Sequence, residues 1–191
     1  MRIVRESRLA ALLPGYSDVP FSYDQVGCTA AAAPPEGLHL THRRVKVGRG
    51  RGSFERAAAA LLAWRMHEAA GLRVCAAGPA EMDRTIVAGM GVGAGNSLVL
   101  PCRVVDVEEH ADRCGVAYGT LADHPHRGEE RVTLSIDPAP YEGPGDVWFE
   151  VTGMSRPGSA VVTMTGPVAS WMQRRWHSRY EDAVRRLATI T

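Results

Sequence analysis

Between Leu72 and Gly153 the chain repeats one pattern, an alternation of apolar and polar residues stopped each time by Gly, Pro or Asp. The runs are Leu72 to Cys75, Thr85 to Met90, Ser97 to Val107, Cys114 to Leu121, Arg131 to Ile136 and Val147 to Gly153. A period of two buries one face of a strand, and gaps of hairpin length join successive strands antiparallel. The pattern therefore predicts one strongly curved antiparallel sheet with one apolar face. The C-terminal segment fits that face. Thr165-Gly166-Pro167 supplies a capping hydroxyl and an early proline, after which Val168, Trp171, Met172, Trp176, Tyr180, Ala183, Val184 and Leu187 recur at helical spacing. Arg174, Arg175, Glu181, Asp182, Arg185 and Arg186 occupy the other side. So wide an apolar stripe needs a concave apolar surface, and the curved sheet is the one on offer. The expected fold class is α+β, a curved antiparallel sheet wrapped around a long C-terminal helix with an internal cavity.

The first third of the chain supplies the remaining elements. Residues 6 to 13 predict a short helix stopped by Pro14-Gly15. Phe21 to Gly27 alternates and predicts a strand, as does Leu38 to Val47. Ala30 to Ala33 runs into Pro34-Pro35 and reads as a connection. The G-x-G-x-G of Gly48, Gly50 and Gly52 lacks a following Lys-Ser/Thr and reads as a turn from strand to helix, not a phosphate cradle. Ser53 then caps a helix that carries Phe54, Ala57, Ala58, Leu61, Leu62 and Trp64 on one side and ends at Gly71. No boundary divides the 191 residues, so a single domain over 1–191 is expected, with 1–19 as an N-terminal extension.

Composition narrows the partners. With 22 Lys+Arg against 21 Asp+Glu the net charge is +1, which gives no field for nucleic acid or an anionic membrane. No segment approaches the ~18 apolar residues of a membrane helix, and the expected location is cytoplasmic. Cys28, Cys75, Cys102 and Cys114 have no metal or redox spacing and are expected as buried free thiols. No metal and no cofactor is expected, because His124, His126, Glu129 and Glu130 on neighbouring loop positions do not preorganise a ligand set. A homodimer is left open.

The most polar interruption of apolar sequence is Tyr118 to Arg131, where two imidazoles, two adjacent carboxylates, a phenol and an arginine share one bend. Strand parity divides them. Glu130 falls with Val132, Leu134 and Ile136 on the core face, and Glu129 with Arg131, Thr133 and Ser135 on the other. Tyr118 and Thr120 share a face with Val116 and are placed to donate hydrogen bonds to a ligand oxygen, or to satisfy backbone groups at the bend. His124 either transfers protons or fixes its loop. Glu130 is either the working acid or base or one half of a buried ion pair with Arg103 or Arg156. The candidate catalytic residues are Glu130, His124 and Tyr118. The candidate substrate-binding residues are Thr120, Arg103, Arg156, Trp64, Trp171 and Met172, the tryptophans, Trp148 and Trp176 included, being core first.

The element order resembles the helix-grip superfamily, which includes START lipid-binding domains, the birch-pollen-allergen type and polyketide cyclase/dehydratases. Phe21-Ser22-Tyr23 with Val26-Gly27-x-Thr29, Gly48-x-Gly50 with Phe54-x-x-Ala57 and Trp64-Arg65-Met66, Tyr118-Gly119-Thr120-Leu121 with His124 and Gly128-Glu129-Glu130-Arg131, and Ser155-Arg156-Pro157 are similar to the domain-of-unknown-function family numbered nineteen-ninety. Val132 stands where that family usually has an aromatic residue. The resemblance implies a cofactor-independent cyclase or dehydratase acting on a polyketide-like small molecule, by cyclisation or by ketal or spiroketal formation. The same fold implies, as the alternative, a non-catalytic binding protein for a lipid or other hydrophobic metabolite. A structural protein with a filled core is the third reading.

Overall fold

The structure is a computed structural model that describes residues 1–138, 143–158 and 166–189, with only the helical backbone described for 166–177. In chain order it contains β1 (Ile3–Arg5), β2 (His39–Arg49), α1 (Arg51–Leu62), α2 (Arg65–Ala69), β3 (Leu72–Ala76), β4 (Thr85–Gly93), β5 (Asn96–Glu109), β6 (Arg113–Thr120), β7 (His126–Ile136), β8 (Asp146–Pro157) and α3 (Gly166–Thr189). The strands form one antiparallel sheet in the order β2-β8-β7-β6-β5-β4-β3, and β1 pairs with the start of β5. Register shifts at Val104/Asp106, Gly91/Gly93 and Lys46/Gly48 bend the ladder, as a bulged strand does. This is the helix-grip arrangement, with the long helix at the C-terminal end.

Alternation assigns each side chain to a face. On the inner face Ile86, Ala88, Cys102, Val104, Val116, Tyr118, Val132, Leu134, Phe149 and Val151 join one core with Phe54, Leu61, Trp64 and Met66 of the helical segment and Tyr180, Ala183 and Val184 of α3. The sheet is not the only surface α3 meets. It packs on α1 and α2 as well as on β2 and β8, while α1 covers β6 and β7. Among the described residues no helix is long and apolar enough to cross a membrane.

Four local expectations are corrected. The helix predicted to open at Ser53 opens at Arg51, behind Gly50 at φ 80°, a conformation glycine adopts without cost. It does not run on to Gly71, because Trp64 takes a left-handed conformation (φ 63°) that breaks it into α1 and α2. The helix over 6 to 13 is instead a pair of 3-10 turns, Glu6–Arg8 and Ala10–Tyr16, the second with Pro14 inside it. The strand over Phe21 to Gly27 is a single bridge, Phe21 to Leu121, followed by a 3-10 turn at Cys28–Ala30.

The reason for the last two lies on the outer face of the sheet. There Leu9 and Tyr16 pack with Val87, Val99 and Leu121, and Tyr23, Cys28 and Leu38 pack with Met154. The N-terminal segment is thus laid flat across the sheet. Trp148, expected in the core, is also on this side, under the Arg44 guanidinium at 4.1 Å and donating from Nε1 to Asp137 at 2.7 Å. Its neighbours Val147 and Phe149 take the inward positions.

Candidate functional site

The two carboxylates of β7 point through opposite faces of the sheet, and their surroundings differ in kind. Glu129 is 2% exposed and points to the outer face. It accepts from Tyr23 Oη at 2.7 Å, from the Gly27 N–H at 2.7 Å, from the Thr29 N–H at 3.1 Å and from the Thr29 hydroxyl. Gly119 is its cross-strand partner, and any Cβ there would run into the Tyr23 ring. A glycine opposite the carboxylate therefore lets the phenol lie against the strand and reach it. Burial and the Glu129 charge hold the Tyr23 phenol well above the usual tyrosine range. Glu129 is a latch for the N-terminal segment. Arg131 extends it, pairing with Asp106 at 2.8 Å.

Glu130 lies on the inner face and is partly buried. Tyr118, its cross-strand partner, donates from Oη to Glu130 Oε1 at 2.6 Å. On its other side the same phenol meets His67 Nε2 at 3.1 Å. His67 comes from α2 and is 4% exposed, with its ring against Trp64, Tyr118 and Tyr180 at centroid distances of 5.4, 5.6 and 5.4 Å. Its Nδ1 is buried without a hydrogen-bond partner among the described residues. Burial lowers the His67 pKa to about 4 against the opposing pull of the Glu130 charge, so the imidazole is neutral at pH 7. Burial, then the Glu130 carboxylate, raises Tyr118 and Tyr180 well above the usual range. The same two causes push the Cys102 thiol up.

The structure brings Tyr118 and Glu130 together on the inner face and places the other described candidate residues apart from them. Thr120 does not present its hydroxyl to the inner face. It accepts from the Gly128 N–H at 3.0 Å, donates to the Gly128 carbonyl at 3.1 Å and shares a 2.7 Å hydrogen bond with Ser22, closing the β6–β7 bend. His124 Nδ1 accepts from the His126 N–H at 3.1 Å, an assignment that suits a loop-fixing residue. Burial and the neighbouring His126 lower its pKa to about 4, and the Glu130 charge acts on both imidazoles in the opposite sense.

Arg103 is not the ion-pair partner of Glu130. It alternates with Cys102 and Val104, which take the inner face, so its guanidinium emerges outside. There it donates to the carbonyls of Tyr16, Ser17 and Val19 at 3.1, 2.6 and 3.0 Å. Arg156 is exposed, opposite Arg127 in the β7–β8 ladder. Trp64 is 4% exposed in the core beside His67, donating from Nε1 to the Gly78 carbonyl at 3.0 Å. Trp171 and Met172 lie outside the residues whose side chains are described. No cluster of His, Cys, Asp and Glu among the described residues is arranged to hold a metal ion. The cysteines described are free.

The sequence reading missed His67 and Tyr180. His67 follows Trp64-Arg65-Met66 directly, and no spacing signal marked it, because the left-handed Trp64 breaks the helix ahead of it.

Residues 22–183 match the family described as "Domain of unknown function (DUF1990)". A UPF0548 protein of Deinococcus radiodurans is 29% identical over 192 residues, covering 95% of this chain and 94% of the relative. A UPF0548 protein of Arabidopsis thaliana is 30% identical over 158 residues, covering 78% and 73%. Among solved structures, the di-domain ARO/CYC StfQ from the steffimycin biosynthetic pathway aligns with a TM-score of 0.50 at 11% identity, over 79% of this chain and 50% of that one.

Proposed function

We propose that this chain, which belongs to the DUF1990 family and so inherits no named reaction, is a cofactor-independent enzyme of the cyclase or dehydratase type, moving protons at Glu130. The observation that carries the reading is the 2.6 Å hydrogen bond from Tyr118 to Glu130 on the inner face, backed by His67. A carboxylate in an apolar wall, aligned by a buried phenol, is suited to take a proton from a bound molecule and return it elsewhere. The core that Tyr118 belongs to is apolar and aromatic, which favours a largely apolar, polyketide-like substrate. Cyclisation, loss of water and ketal closure each need only proton transfers and no cofactor. A cyclase has been built on this fold in StfQ, a precedent for the architecture and not for the residues.

The roles divide by exposure. Glu130 is partly buried and transfers the proton, whereas Tyr118 is buried and aligns it. Arg103 and Thr120 belong to the outer latch and the bend. The test is a panel of polyketide-like diketones and dihydroxyketones followed by mass spectrometry for ring closure or loss of one water. The wild type is expected to convert at least one of them. Tyr118→Phe should slow that conversion by about a hundredfold, the order of a positioned acid–base group. Ligand binding without conversion of any of them would favour the carrier reading.

A further inference from the structure

The outer latch and the inner carboxylate meet at one place in the sheet, the end of the β6–β7 ladder. Its last rung pairs Gly119 with Glu129, and the rung before it pairs Tyr118 with Glu130. Past that end Gly128 turns to φ 144°, where any Cβ would strike the Met154 carbonyl, and the Thr120 hydroxyl takes both the Gly128 N–H and its carbonyl. Ser22, from the N-terminal segment, holds Thr120 in turn at 2.7 Å. A ladder opens more easily at its end than in its middle, so side chains decide how firmly this end stays closed.

Glu129 is the most heavily bonded of these ties. Its donors are the Tyr23 phenol, the Gly27 and Thr29 N–H groups and the Thr29 hydroxyl, so residues 23–29 supply all four. A buried carboxylate deprived of a donor is costly to keep in place, and the last rung of a ladder is where the backbone yields to it. Glu129 and Glu130 share one planar peptide and point through opposite faces, so a rotation that carries the first toward water carries the second away from Tyr118. The hydrogen bond it would leave is short, at 2.6 Å, and such bonds weaken steeply with misalignment.

We infer that the outer latch positions the inner carboxylate, with Tyr23 and Thr29 acting on Glu130 through Glu129 from the opposite face of the sheet. This rests on the acid–base reading of Glu130 and adds the residues that keep it aligned. The rungs from Arg113–Ser135 to Ala117–Arg131 stay paired without the latch, and only the final two shift. Tyr23 and Thr29 are positioning residues, and the N-terminal segment belongs to the site although it packs on the outer face.

Carboxyl-¹³C glutamate labelling reads Glu130 itself, its resonance assigned by its loss in Glu130→Gln. Tyr23→Phe and Thr29→Ala should each move that resonance by more than its linewidth, while Thr29→Ser, which keeps the hydroxyl, leaves it in place. Arg103→Met loosens the same segment at Tyr16 to Val19 without touching Glu129 and should also leave it in place. A resonance unmoved in both Tyr23→Phe and Thr29→Ala overturns the inference, and so does an equal movement in Arg103→Met, which would trace it to general loosening. On a diketone that the wild type converts, Tyr23→Phe should lower kcat by about tenfold to a hundredfold with KM within about twofold, the loss expected of a misplaced reacting group. A kcat equal to wild type beside a moved resonance would show that the alignment does not serve the reaction, and overturns it too. If the wild type converts no ketone while the Glu130 resonance still follows the latch, the acid–base reading fails and the coupling between the two faces stands.

Discussion

His67 links the chemistry of the site to the stability of the fold, because a buried imidazole that resists protonation must be paid for in acid. Its folded pKa is about 4, against about 6.5 for an unfolded histidine. With the folded value depressed, the unfolded chain binds more protons between the two, so stability is full above pH 6.5 and falls as pH drops toward 4. Between pH 6.5 and 4.5 this one group contributes a loss of about 2 kcal/mol. Urea unfolding at the two pH values should show the wild type losing about that much more than His67→Gln, His124 being common to both. Equal losses would mean that His67 is not held neutral. At this scale Tyr118 and Glu130 were legible from the period of two, since β6 and β7 are regular where they pair. His67 was not. The left-handed Trp64 resets the helical phase, so the spacing of Phe54, Ala57 and Leu61 does not extend to it.

At the scale of elements, the N-terminal segment pairs with the sheet at β1 and at the Phe21–Leu121 bridge, and between and beyond these, side chains hold it. Its anchors are Tyr23, Thr29 and the Gly27 N–H on Glu129, and the Tyr16 to Val19 carbonyls on Arg103. This explains why the alternation of Phe21 and Tyr23 imitated a strand: a segment lying flat on a sheet face also turns every second side chain toward it. The strands themselves were legible because each carries its own period, although β7 starts at His126 and β8 ends at Pro157, beyond the expected Arg131 and Gly153, where Gly and polar positions still pair. Gly119→Ala places a methyl group where the Tyr23 ring lies. Tyr23 must then leave Glu129, and the carboxylate loses a donor while buried, at a cost of about 1 to 3 kcal/mol. Limited proteolysis should cut the Phe21 to Thr29 segment faster in this variant than in wild type, with the β6–β7 pairing kept. Unchanged cleavage would mean that the latch does not hold the segment.

For the whole molecule, the sheet works as a partition. Its outer face is closed by the N-terminal segment and carries a saturated carboxylate, and its inner face carries a carboxylate aligned toward the helices. Fold class was legible because a curved antiparallel sheet and one wide-striped helix have few ways to bury each other. Division of labour between the two adjacent glutamates was not, because parity separates faces without saying what covers them. The inner carboxylate, on this reading, works on a bound molecule. That is tested by comparing wild type and Glu130→Gln on a diketone that the wild type converts, with product formation and calorimetric binding followed side by side. Glu130→Gln is predicted to lose turnover by about a hundredfold or more while its Kd stays within about tenfold, or about 1.4 kcal/mol. Turnover equal to wild type in Glu130→Gln would contradict it.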